Sequence, residues 1–268
     1  MVTKEKIMSK TLSLGCSYSL EVGERYDAPG ASIHFLLEQV KYYKSYKINK
    51  DWLWIMDITQ VGRISKQVPI ELHKECIDKA DTSGPKYQFQ EKLGTNYFTL
   101  FTEQVEFDAS WSNEFREWWL KEEALHYAKS IEEHIEDYLI TLKKIQEELV
   151  GYDYKMFLMN NTFEGYFYED GILKHIYSES KEYNVPDLKN TIKLKDLYPK
   201  LWKDIDLSKF TFYSVDGNQY GGLDEYTIDN FESNCFMDTI SKDDIPFGKH
   251  PNSEVHISFF NKVIHNRL

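Results

Sequence analysis

The stretch Ala128-Lys129-Ser130-Ile131-Glu132-Glu133-His134-Ile135-Glu136-Asp137-Tyr138-Leu139-Ile140-Thr141-Leu142-Lys143-Lys144-Ile145-Gln146-Glu147-Glu148-Leu149-Val150-Gly151, followed by Tyr154-Lys155-Met156-Phe157-Leu158-Met159, decides the fold. Ala128, Ile131, Ile135, Tyr138, Leu142, Ile145 and Leu149 recur alternately three and four residues apart, which makes one apolar stripe along a helix. The helical pattern extends over Ser112 to Val150, and Gly151 stands where a C-cap glycine is expected. Glu132, Glu133, Glu136, Asp137, Glu147 and Glu148 fall off the stripe and read as a solvated face. Such a stripe also suits a coiled-coil seam. The short apolar run Tyr154 to Met159 favours a crossover helix instead, because helix followed by strand is what a parallel sheet requires.

The neighbouring segments repeat the alternation. Trp52 to Ile58 is apolar on both faces, as a buried parallel strand should be. Ser32 to Tyr46 carries Ile33, Leu36, Leu37, Val40 and Tyr43 at helical spacing. Lys10 to Leu14 reads as the first strand, Phe210 to Ser214 as a further one, and Val255, Phe259, Val263 with Phe260, Ile264 as the last helix. The expected fold is therefore α/β, a parallel sheet of about five strands with helices on both faces. Residues 1–268 are read as a single domain. Segments 66–111 and 160–249 are irregular insertions or lids, with a short helix expected near Ile70 to Ala80 and a strand or lid in Tyr97 to Phe107.

Composition narrows the function. The net charge of −12 leaves no basic excess to neutralise phosphates, so nucleic acid is not an expected partner. The longest apolar run, around Leu53-Trp54-Ile55-Met56, is far too short to span a bilayer. The first ten residues mix Lys4, Glu5, Lys6 and Lys10 without an apolar core, which is not a secretory leader, and the expected location is cytoplasmic. Cys16, Cys76 and Cys235 fit reduced thiols. No cofactor is expected, since dinucleotide, Walker and paired Cys-x-x-Cys motifs are missing. Metal is not expected either: Glu123-x-x-His126 is half of a di-metal motif whose second half fails at Ile131.

Two short stretches carry the chemistry. Gly15-Cys16-Ser17-Tyr18-Ser19 leaves the first strand, and His250-Pro251-Asn252, with His256, opens the last helix. A serine and a histidine on loops over one sheet edge make a nucleophile and its base. These blocks resemble those of the SGNH (GDSL-like) hydrolases, in the phage and bacterial type with a Gly-Cys-Ser first block. Asp27-Ala28-Pro29-Gly30-Ala31-Ser32 resembles the second block, and Asp51 to Arg63, an aromatic strand ending Asp57-Ile58-Thr59-Gln60-Val61-Gly62-Arg63, the third strand and its loop.

The resemblance implies a flavodoxin-like fold and a catalytic set of Ser17, His250 and Asp244. It also implies an oxyanion and substrate set drawn from Gly30, Thr59, Gln60 and Arg63. The usual aspartate three residues before the histidine is Phe247 here, with Asp243 and Asp244 upstream. Either Gly30 is the oxyanion glycine of a shortened domain, or Ala31 to Tyr46 is the first helix and the second block is missing. The implied activity is cleavage or transfer of an acyl ester, with a small acyl ester or acylated glycan as substrate. The alternative is a catalytically silent relative that binds a protein partner through its acidic, aromatic-rich insertions.

Overall fold

The computed structural model describes residues 10–15, 24–27, 32–45, 51–75, 87–89, 97–100, 111–176, 190–215, 218–231 and 251–265. In chain order, β1 (Thr11–Gly15) and β2 (Glu24–Asp27) precede helix α1 (Ile33–Ser45) and β3 (Leu53–Ile58). Next come β4 (Ser65–Gln67), β5 (Tyr87–Phe89) and β6 (Tyr97–Leu100), then α2 (Asn113–Tyr127), α3 (Ile131–Glu148) and β7 (Asp153–Leu158). The hairpin β8 (Tyr166–Glu169) and β9 (Ile172–His175) leads to the single-turn helices α4 (Leu194–Leu197) and α5 (Pro199–Trp202). The described chain ends with β10 (Phe210–Thr211), the hairpin β11 (Tyr213–Val215) and β12 (Asn218–Gly221), α6 (Leu223–Asn230) and α7 (Ser253–Phe259).

Five strands form the main sheet in the order β10-β7-β3-β1-β2, and every pair is parallel. Central β1 and β3 are buried along their whole length; β3 accordingly reads as an apolar run up to Asp57, while β1 buries Thr11 and Ser13 between its leucines. Successive strand residues face opposite sides of a sheet, and β7 uses both. Met156 meets the Gln146 amide of α3 at 3.9 Å, while its neighbour Phe157 packs on Phe259 of α7 with ring centroids 5.4 Å apart. Helices therefore cover both faces, as the sequence pattern requires.

On the first face α1 lies against α3, tied by Lys44 to Glu148 at 2.7 Å and by His34 to Asp137 at 3.0 Å. The α3 stripe is core, since Ile135, Tyr138, Leu139, Leu142 and Ile145 are all buried. Replacing Ile135 by alanine should destabilise the protein by about 2–5 kcal/mol, read as a lowered denaturation midpoint. An unchanged midpoint would contradict the observed packing.

Two expectations need correction. The helical run from Ser112 to Val150 is broken at Ala128–Ser130, because Ser130 caps α3: its hydroxyl accepts from the Glu133 N–H while the Glu133 carboxylate accepts from the Ser130 N–H. Ala128 is consequently an exposed helix terminus and no part of the stripe. The strand expected over Phe210 to Ser214 divides. Phe210–Thr211 joins the main sheet beside β7, whereas Tyr213–Val215 turns away to pair antiparallel with β12.

Within 66–111, β4, β6 and β5 form a small antiparallel sheet, so Tyr97–Leu100 is a strand. A second apolar cluster of Ile64, Val68, Leu72, Trp111, Phe115 and Trp119 holds the chain after β3 against α2. Of the short helix expected near Ile70 to Ala80, Ile70–Leu72 form a 3-10 turn, residues 73–75 continue as helix, and 76–80 lie outside the described residues.

Candidate functional site at the carboxyl edge of the sheet

In a doubly wound sheet the strand order reverses once, and the crevice at that reversal is where ligands bind. Here β2 lies on one side of β1 and β3 on the other, so the reversal falls between the carboxyl ends of β1 and β3. Gly15 closes β1 with φ of +138°, a conformation that L side chains rarely adopt. Across the crevice β3 runs into Thr59, Gln60 and Arg63.

Thr59 is fully buried; its carbonyl accepts the Tyr138 hydroxyl at 2.9 Å, and its own hydroxyl has no partner among the described residues. Gln60 is half-buried and lines a cavity shared with Arg63. The Arg63 Nη2 lies 3.5 Å from the Met159 sulfur, and Nη1 is buried without a hydrogen-bond partner among the described residues.

Ser17, Gly30, Asp244 and His250 lie outside the described residues. The strands on either side of the first motif and the chain following the second are nevertheless described. The sequence between Gly15 and β2 contains Ser17, and β2 itself runs parallel to β1 in the register Leu12 to Glu24 and Gly15 to Asp27. At the other end Pro251 is buried, and Asn252 caps α7 by accepting the Val255 N–H at 3.2 Å. Val255, His256, Phe259, Phe260, Val263 and Ile264 are buried, and the helix widens into a π-helical turn over Phe260–Ile264.

The carboxyl edge also carries groups that sequence reasoning missed. The chain leaving β7, Asn160 to Glu164, is buried although every one of these residues except Phe163 is polar. Asn160 accepts from the Thr162 hydroxyl at 2.8 Å, and its amide nitrogen has no partner among the described residues. Glu225 of α6 accepts the Asn161 N–H at 3.1 Å and the Gly222 N–H at 2.7 Å, fastening this loop to the start of α6. Gly222 is required there, because a Cβ would lie 2.1 Å from the Leu158 carbonyl oxygen.

Beside Glu225, Asp224 is 1% exposed, and neither of its carboxyl oxygens accepts a hydrogen bond from a described residue. Burial, reinforced by Glu225 and Asp57, pushes its pKa well above 3.8, with Arg63 opposing. A glycine pair followed by two acids was the only signal for this arrangement, and it reads equally well as a loop and an ordinary helix start.

The fold and its edge define a doubly wound α/β protein with a polar, partly unsatisfied crevice. Comparison with protein-family models, with curated proteins and with solved structures finds no match to this chain. Among the described residues no helix is long and apolar enough to cross a membrane, and no cluster of three His, Cys, Asp or Glu side chains suits a metal ion.

Proposed function

We propose that the protein is an SGNH-like serine hydrolase that cleaves or transfers an acyl ester. The observation that carries this reading is the strand order, because the chain leaving β1 into Cys16-Ser17 and the chain leaving β3 into Thr59 begin side by side at the reversal. The Ser17 hydroxyl attacks the acyl carbonyl while His250 takes its proton. His250 then returns the proton to the departing alcohol, leaving an acyl-serine. Water, or an acceptor hydroxyl in a transfer, repeats the sequence and releases the acyl group.

The tetrahedral oxyanion is held by the backbone N–H groups of Ser17 and Gly30 together with a side-chain donor. Thr59 suits that last role better than Gln60, since its buried hydroxyl has no partner among the described residues, whereas Gln60 lines the neighbouring cavity. The Asn160 amide, one strand over, is a second donor without a partner among the described residues. Asp244 is the candidate to orient His250.

A fluorophosphonate probe tests the reading directly. Stoichiometric labelling at Ser17, found by peptide mass spectrometry and lost in Ser17→Ala, is the expected result. An unlabelled native protein would sink the catalytic assignment and leave the binding-module alternative.

A further inference from the structure

The cavity beside the loop that follows β3 has a volume of about 300 Å³ and gathers basic side chains on a chain whose net charge is −12. Arg63 comes from the loop, Lys66 from β4 and Lys129 from the turn between α2 and α3. Asp137 is the single carboxylate among its described lining residues. Lys66 is held by Glu122 at 3.0 Å, and Lys129 reaches Asp137 only at 3.6 Å. Arg63 makes no ion pair among the described residues, and one of its nitrogens is buried without a hydrogen-bond partner there.

Three imidazoles complete the wall. His34 points Nε2 at Asp137, 3.0 Å away, so that nitrogen carries the hydrogen and Nδ1 accepts from the Thr141 hydroxyl at 3.3 Å. His126 donates from Nε2 to the Gly62 carbonyl at 2.7 Å, and its ring lies 4.3 Å from that of His134. Burial, with Lys66 and Lys129 nearby, holds His126 down to about 4, and burial and Lys129 lower His134 as well. Burial is the larger cause for both rings, and the neighbouring positive charges act in the same direction, favouring the neutral imidazoles.

We propose that the cavity binds a tetrahedral oxyanion, a phosphate- or sulfate-type group, between Arg63, Lys66 and Lys129. Gln60 and Gln67 supply neutral donors to the same space. Assigning the anion to the substrate of the crevice rests on the hydrolase reading; the binding does not. A bound anion opposes the burial and the positive charges that keep His126 and His134 neutral, so binding raises both pKa values. Lys66, Lys129, Glu133, Asp137 and His34 share the surroundings of these two rings; Asp137 is divided between His34 and Lys129, Glu133 accepts the Ser130 N–H, and the two carboxylates oppose the lowering of His134 without overcoming it.

The test is an NMR titration of the full chain with inorganic phosphate and, separately, sulfate, at ionic strength matched with chloride. We expect saturable shifts of the His126 and His134 ring resonances, and upward movement of their titration midpoints, with either oxyanion. Lys129→Gln, at a half-exposed position, should weaken binding about tenfold without altering the melt, and Arg63→Gln should weaken it at least as much. Ser17→Ala should bind phosphate as the native protein does, which separates this site from the catalytic reading. Shifts that chloride reproduces, that do not saturate, or that survive Lys129→Gln undiminished would overturn the proposal. Saturable binding by one oxyanion alone supports it and names the ligand class.

Discussion

Ser17→Ala should reduce turnover of simple aryl esters by about 10⁶-fold, the scale on which a serine hydrolase loses activity without its nucleophile, with the melt unchanged. His250→Ala should fall to a similar floor, because nucleophile and base act as one unit and their losses do not add. The acid that orients the histidine behaves differently. In a working triad, changing it to the amide leaves the geometry intact but fixes the wrong tautomer, at a cost of about 10⁴ in turnover. Asp244 stands six residues before His250 rather than three, and Phe247 occupies the usual place. Asp243→Asn and Asp244→Asn are accordingly expected to cost less than about tenfold each, the behaviour of a dyad. A loss near 10⁴ in either would show that the Ile245 to Lys249 loop folds a carboxylate back onto the ring. Activity surviving Ser17→Ala would end the hydrolase reading.

The parts of the fold legible in the sequence are those in which periodicity and burial agree. Ile135, Tyr138, Leu142 and Ile145 are spaced for one helix face, and that face is core. Leu53 to Ile58 is apolar on both sides, and both sides are covered. The break at Ser130 was harder to see, because the three-and-four spacing continues through Ala128 while a capping box overrides it with local hydrogen bonds. The two-residue β10 gives periodicity almost nothing to register, so its separation from β11 could not be read.

The site was less legible for a physical reason. Thr59, Gln60 and Arg63 were singled out by the resemblance of the segment that follows a clear strand, β3. Asn160, Asp224 and Glu225 approach them only through packing, with Gly222 against the end of β7 as the hinge of that approach. The basic cavity draws on α1, β4, α2 and α3, whose residues span more than a hundred positions of a chain that is acidic as a whole. Composition averages such a local excess away.

Asp224→Asn should stabilise the protein at neutral pH, the reverse of what removing an ion-paired aspartate does. The folded-state pKa of Asp224 is raised well above its ordinary 3.8, because burial penalises the anion and Glu225 and Asp57 add to that penalty more than Arg63 relieves it. Folded protein therefore retains a proton that unfolded chain releases. Stability from this group is fully present below the unfolded pKa and drains as pH rises from about 4 to the folded pKa, by up to about 1.4 kcal/mol for each pH unit. The neutral amide removes that dependence. Denaturant unfolding of both proteins at several pH values should give curves that are close together near pH 4 and diverge in favour of the variant as pH rises. A variant less stable than the native protein by the same amount at every pH would mean that the carboxylate is ionised and hydrogen-bonded in the fold, and that the crevice spends no stability on keeping it buried.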